Sequence, residues 1–167
     1  MPQTHSPEED IPEDEYPPEE LTGIIIPPRR RPADDNGYFE MLAQAVFQAG
    51  FSWRVVRDKW PGFRRAFDGF DIEKVARYDF TDIERLLADP GIIRNGRKIE
   101  AVIANARVMQ GLIAGHGSFY AYLRTLDHLP YEKRKRELAS RFRWLGRTGV
   151  FCFLWCVDEE VPDWEDR

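Results

Sequence analysis

Cysteine and histidine are scarce in this chain of 167 residues, with two of the first and three of the second. So few cysteines exclude a disulfide scaffold. Cys152 and Cys156 stand one helical turn apart in an apolar run, and a zinc ion would need two further ligands. His5, His116 and His128 show no pairing spacing, so no metal is expected and the cysteines read as small buried hydrophobes. Long apolar runs are also missing. The longest, Val150 to Val157, falls far short of a membrane span, and the N-terminus lacks the basic and apolar regions of a secretory signal. No G-x-S-x-G, C-x-x-C, H-E-x-x-H or P-loop occurs, which removes the common hydrolases and nucleotide enzymes. These absences leave a soluble cytoplasmic protein, with no cofactor and no membrane partner expected.

What is present is unevenly spread. Eight of the twelve prolines precede residue 33, so the rest of the chain is free to fold into longer elements. Residues 1–35 hold ten acids and three arginines, a net charge of −7, and residues 158–167 carry −5. Between them, residues 36–157 carry +7. The whole-chain value of −5 argues against a nucleic-acid partner, whereas the basic body argues for one. Residues 1–35 read as a tail, because acids alternating with prolines cannot bury enough surface to offset their ordering entropy. Its one apolar patch, Leu21 to Ile26, either lies loosely or docks in a groove. Its acids serve solubility or compete with DNA for the basic body. The expected organisation is a tail over 1–35 and one helical domain over 36–167.

From Tyr38 the pattern is helical: Phe39, Leu42, Ala43, Val46 and Phe47 recur at three- and four-residue steps, and Gly50 ends the run. Pro61-Gly62 is expected to close a short helix from Trp53 to Trp60, with another over Phe63 to Phe67. Asp71 caps Ile72 to Ala76, and Thr81 with Glu84 reads as a capping box opening Asp82 to Ala88. The longest periodic stretch is Arg97 to Ala114. Ser118 caps Phe119 to Leu126, Pro130 opens Tyr131 to Phe142, and Gly146 and Thr148 open a last apolar helix to Val157. No segment alternates with period two for long, so the class is all-α.

Three places carry chemistry. Gln48 to Trp53 puts an amide, a turn, a hydroxyl (Ser52) and an indole together after a helix, with Tyr38 nearby in sequence. That suits a planar, hydrogen-bonding ligand such as a nucleobase; a core tryptophan at a helix corner is the plainer reading. Arg94, Asn95 and Lys98 sit at a helix start, where bases and backbone amides hold anions, or else form a solvated turn. Leu145, Gly146, Arg147 and Thr148 form a glycine-containing turn between helices that lets a phosphate approach the backbone.

These stretches resemble the DNA-3-methyladenine glycosylase I family. The resemblance rests on Phe39-Glu40-Met41-Leu42 through Gln48-Ala49-Gly50-Phe51-Ser52-Trp53, then Phe67-x-x-Phe70-Asp71-x-x-Lys74-Val75-Ala76. It continues through Gly91-Ile92-Ile93-Arg94-Asn95-x-x-Lys98-Ile99, Asn105-Ala106 and Phe142-x-Trp144-Leu145-Gly146-x-Thr148, and spans about residues 38 to 157. It implies an all-α, helix-hairpin-helix fold of that glycosylase superfamily. It also implies an enzyme acting as a monomer that flips an alkylated purine from double-stranded DNA and hydrolyses its N-glycosidic bond, in the cytoplasm at the bacterial nucleoid. Trp53, Gln48, Ser52 and Tyr38 are then expected to bind the base. Arg94, Asn95, Lys98, Leu145, Gly146, Arg147 and Thr148 are expected to hold the DNA backbone.

The chain departs from that family at two places. The position of its base-reading glutamate is Ala45, and the tail replaces its N-terminal zinc-binding segment, whose C-terminal half falls near Asp163-Trp164. In the wider superfamily that the chain resembles, an aspartate past the hairpin glycine activates water or steadies the developing cation, and this resemblance implies that Asp163, seventeen residues beyond Gly146, supplies a catalytic carboxylate in its place. The alternative is a non-catalytic relative that binds damaged DNA, having lost the carboxylate and the zinc site; a third reading is a structural relative serving protein partners.

Overall fold

Short polar side chains close the first turns of most helices, and they set the element boundaries. The structure, a computed structural model, describes residues 29–51 and 53–167. The Leu21 to Ile26 patch, the acidic stretch before residue 29 and Ser52 lie outside the described residues. The described residues are all-helical. Helix α1 spans Asp35–Gln48, starting ahead of its apolar pattern because the Asp34 carboxylate accepts from the Gly37 amide at 2.8 Å. At its far end Gly50 takes a φ of 82°, which glycine adopts without strain.

Helix α2 spans Trp53–Ala66 and runs straight through Pro61, where a break was expected. One continuous apolar face explains this: Val56, Trp60 and Phe63 are all buried. Trp60 stacks on Phe63 and Phe70 at centroid distances of 4.9 and 5.0 Å. That packing outweighs the hydrogen bond that proline removes. Gly62 is there for a close approach rather than a turn, since a Cβ at this position would collide with the Gly91 carbonyl.

A 3-10 turn, Asp68–Phe70, leads to α3, Ile72–Ala76, capped by Asp71 as expected. Helix α4, Phe80–Leu87, starts earlier than the sequence suggests. Asp79 and Asp82 form the reciprocal capping box, not Thr81 and Glu84, because the extended backbone that a cap needs falls at Asp79. The central helix α5, Gly96–His116, is capped by Asn95 and packs against α1, α3 and α4. Helix α6, Phe119–Arg124, is capped by Ser118, and its first amide also donates to Asp35 at 2.8 Å. Helices α7, Tyr131–Arg141, and α8, Arg147–Cys156, form the hairpin, and α8 lies along α1.

The last residues assigned to the tail are docked. The Arg30 amide donates to the Cys156 carbonyl at 3.0 Å, and Arg29 pairs with Asp158 at 2.8 Å and donates to the Glu159 carbonyl. The buried Glu159 carboxylate is paired with Arg124. Of the tail arginines, Arg29 thus stands against the acidic C-terminal segment, and Arg31 lies 3.7 Å above the Tyr120 ring that Arg124 also covers.

Candidate active site

Helix α1 brings Met41 against α8, and α2 begins at the same place with Trp53. Trp53, Phe151, Cys152 and Cys156 form an aromatic and thiol cluster separate from the main core. Met41, Tyr131, Trp155, Val161 and Trp164 pack around it. Trp53 is only 3% exposed, and its Nε1–H has no partner. The Trp155 Nε1–H and the Tyr131 hydroxyl are likewise buried and unpartnered. Trp164 meets Phe151 edge to face at 5.2 Å.

The turn before Trp53 is held from below. Gln48 is buried, and its amide donates to the Phe51 carbonyl at 3.3 Å. Lys98, expected on a phosphate, is 2% exposed and donates instead to the carbonyls of Phe47, at 3.0 Å, and Ala49. Burial lowers its pKa. The ammonium therefore caps the C-terminus of α1, where the helix dipole favours a cation, and is not presented to DNA. Arg94 is exposed as expected, while the Asn95 side chain caps α5 by accepting from the Lys98 amide. Tyr38 does not join Trp53. Ten residues of helix, about 15 Å, separate it from Gln48, and it lies in the main core against Phe119 at 5.3 Å.

The hairpin is fixed by Asn105, a buried side chain on α5. Its amide donates to the Arg143 carbonyl at 3.0 Å and its carbonyl accepts from the Arg143 amide at 2.7 Å. Leu145 is buried beneath the turn, Gly146 starts α8 without a side-chain cap, and Arg147 is exposed. The C-terminal segment crosses this point. Arg147 donates to the main-chain oxygens of Glu165, at 3.3 Å, and Arg167. Arg167 donates to Thr148 Oγ1 at 3.2 Å and lies 3.7 Å above the Trp164 ring. Asp163 itself is exposed, and no helix cap uses its side chain. From this segment the indole of Trp164, not the Asp163 carboxylate, packs on the cluster.

Burial pushes the Cys152 thiol up to about 12, against the opposing pull of Arg167, and raises Cys156 well above the ordinary range. Both keep their protons at neutral pH, which makes them poor metal ligands. Among the described residues no group of three His, Cys, Asp or Glu side chains is arranged to hold a metal, and no helix is long and apolar enough to cross a membrane. Where the family resemblance implies a zinc link between the N- and C-terminal segments, Arg29 and Asp158 make an ionic one.

Sequence reasoning missed several residues here. Phe151 and Trp155 stand at i and i+4 on α8, a spacing that puts both on one face. Trp144 was read only as part of a motif, yet it is 43% exposed and holds a φ of 58°, a costly conformation for so large a side chain. Asn105 stands seven residues after Lys98, so the buried face of α5 carries both polar anchors.

Comparison with known proteins agrees with this geometry. A methyladenine glycosylase family model matches residues 30–145, ending at the last residue before the glycine of the hairpin. The chain is 46% identical over 140 residues to DNA-3-methyladenine glycosylase 1 of Escherichia coli, covering 72% of this chain and 75% of that protein. A DNA-3-methyladenine glycosylase of Haemophilus influenzae is 36% identical over 74 residues, 44% of this chain and 40% of that one. The structure of 3-methyladenine DNA glycosylase I from Staphylococcus aureus superposes with a TM-score of 0.70 at 27% identity, covering 77% of this chain and 79% of that chain. A variant of a 3-methyladenine DNA glycosylase I in complex with 3-methyladenine gives the same score and identity, covering 77% and 80%.

Proposed function

This chain belongs to the methyladenine glycosylase family, and from that premise we propose that it is a base-excision-repair glycosylase that releases alkylated purines from double-stranded DNA. The observation that carries the reading is the position of the Trp53 cluster. Helix α8 supplies both the hairpin residues Arg147 and Thr148 at its start and Phe151 and Cys152 one turn on. The hairpin residues and the aromatic cluster of Trp53 thus share one rigid element, which suits a phosphate anchor beside a surface for an extruded base.

The chemistry asks little of the protein. A purine alkylated on a ring nitrogen is cationic and leaves as a neutral base. Water adds at the sugar C1′, the glycosidic electron pair returns to the purine nitrogen, and the water's second proton goes to solvent. The indole of Trp53 stacks on the extruded base, Gln48 and Lys98 hold the turn that carries it, and Arg147, Thr148 and the α8 amides fix the strand. Asp163 is assigned the steadying of positive charge on the sugar; its support is its place beside Trp164. The protein acts as a monomer in the cytoplasm, on the nucleoid, and the acidic tail competes with DNA for the basic body.

Duplex DNA treated with a methylating agent should acquire alkali-labile breaks on incubation with the protein. A complete absence of breaks, with DNA binding intact, overturns the excision reading. Asp163→Asn should slow breakage by about 10²-fold, the usual size of a lost electrostatic contact to a transition state. Full activity removes Asp163 from the mechanism.

A further inference from the structure

Among the described residues, four that are not glycine hold a left-handed backbone: Asp68, Phe70, Trp144 and Asp158. That conformation crowds the Cβ of an L residue against the following carbonyl, and only glycine, asparagine and aspartate take it routinely. Two of the four are aspartates. Phe70 is fully buried and stacks on Trp60 at 5.0 Å and on Phe67 at 5.4 Å, so packing offsets its strain. Trp144 has neither support. Its φ is 58°, and it is 43% exposed. The other four tryptophans all pack: Trp53 and Trp60 are buried, and Trp155 and Trp164 lie against the Trp53 cluster.

Such an outlier persists only where its surroundings dictate it, and it marks function more often than stability. Here the surroundings are fixed. The Asn105 side chain ties both the amide and the carbonyl of Arg143, and Phe142 and Leu145 are buried on either side. Residue 144 is therefore presented on a rigid turn. Glycine would satisfy that turn without strain, yet the position holds the largest and flattest of side chains.

The neighbours indicate the partner. Arg141, Arg143 and Arg147 are exposed within three residues of Trp144, and no acid occurs from Ser140 to Val157. Arg141 is held by Glu137, and Arg147 by main-chain oxygens of the C-terminal segment, while Arg143 stands next to the indole in the chain. A cationic turn that offers a flat apolar face suits a polyanion that carries flat apolar faces, a nucleic acid. In an intact duplex those faces are covered by neighbouring bases. Extrusion of a nucleotide uncovers them. Trp144 lies three residues before the start of α8, and Phe151 of the Trp53 cluster sits four residues, about 6 Å, beyond that start.

We propose that Trp144 stacks on the base left without its neighbour when the damaged nucleotide is extruded, and so holds the duplex open. The proposal rests on the glycosylase reading and adds to it a contact with DNA outside the Trp53 cluster.

Two duplexes test it, one intact and one with a tetrahydrofuran abasic analogue, which presents an opened stack and has no base to release. In the full chain, Trp144→Ala should weaken binding to the abasic duplex by about tenfold or more, the size of a lost base–aromatic contact, and to the intact duplex by less than about threefold. Trp144→Phe keeps a flat ring and should recover most of the loss. Trp144→Asn should show the same selective loss with an unchanged or higher melting temperature, because asparagine accepts the left-handed backbone. Equal losses on the two duplexes, no loss on either, or a loss confined to variants with a lowered melting temperature overturns the proposal. Binding is read without excision, so the two readings fail separately. A chain that releases no base yet shows the selective loss removes the excision reading alone. One that excises methylated purine while Trp144→Ala binds both duplexes fully removes this proposal alone. An unaltered chain with no affinity for either duplex overturns both.

Discussion

Around Trp60 the polar edges of the aromatic residues are all tied. Its Nε1–H donates to Glu40, which also holds Arg64 at 2.6 Å, and the Tyr78 hydroxyl donates its one proton to Asp68. Around Trp53 the same kinds of side chain pack as tightly, and the indoles of Trp53 and Trp155 and the phenol of Tyr131 donate to nothing. Both clusters bury large rings, so burial alone does not separate a core from a site. Between these two clusters hydrogen-bond completion does, while the Tyr38 hydroxyl shows that the main core also keeps one unpartnered phenol. Evolution of a stable core removes unpaired donors, whereas a binding pocket keeps them for its ligand.

The sharpest way to test that contrast is to empty one side of it. Phe63→Ala in the Trp60 cluster removes a fully buried ring and should cost about 3–5 kcal/mol in a denaturant melt. A loss below about 1 kcal/mol would mean that this cluster is not the structural one. Next come the donor deletions. Trp60→Phe should cost about 1–3 kcal/mol, because it strips a partner from half-buried Glu40 and shrinks a stacked ring. Tyr131→Phe should leave stability unchanged or raise it, because the group it deletes was unsatisfied. Equal losses at the two sites would erase the distinction.

Alkaline pH offers a third, smaller probe. Cys152, at about 12, and Tyr131, at about 12, keep protons in the fold that the unfolded chain gives up at ordinary thiol and phenol values. Their contribution is therefore fully present below those ordinary values and is lost as pH rises through the folded ones. Stability should fall from about pH 9 upward, and Cys152→Ala should flatten the first part of that fall. The smallest effect concerns the hairpin beside the cluster. Arg147→Ala should lower the slope of log binding constant against log salt by about one, with little change in melting temperature. An unchanged slope would take Arg147 off the phosphate path.

The helices were largely legible in the sequence, because caps and 3.6-residue spacing are local. Asp71 and Ser118 cap where expected, and α5 and α8 lie within a few residues of their anticipated bounds. Pro61-Gly62 misled because the reason for Gly62 is distant in sequence: its Cα faces the Gly91 backbone. Lys98 misled for a similar reason. In a run with Arg94 and Arg97 it reads as surface charge, and only its phase with Val102 and Asn105 on α5 marks it as inward-facing. The candidate site was legible in part. Trp53 and the hairpin carry a family pattern, while Tyr131 and Trp164 reach the cluster from α7 and the C-terminal turn, contacts that no spacing within one segment reveals. The resemblance points to Asp163, which is exposed, but no spacing along the chain shows that its neighbour Trp164 packs on the cluster.

One feature of the fold links it to its surroundings. Arg29 with Asp158 clasps the start of the described chain to its C-terminal segment, and Arg124 with Glu159 ties that segment to α6, close to where Val161 and Trp164 pack on the Trp53 cluster. A clasp made of ions loosens in the same solutions that weaken the hold of arginine on phosphate. Ionic strength is therefore a single dial for two events, the firmness of the pocket wall and the dwell time on DNA. A rise in salt would shorten each visit to the duplex and soften the wall that judges the base, so that speed of search and strictness of selection change together.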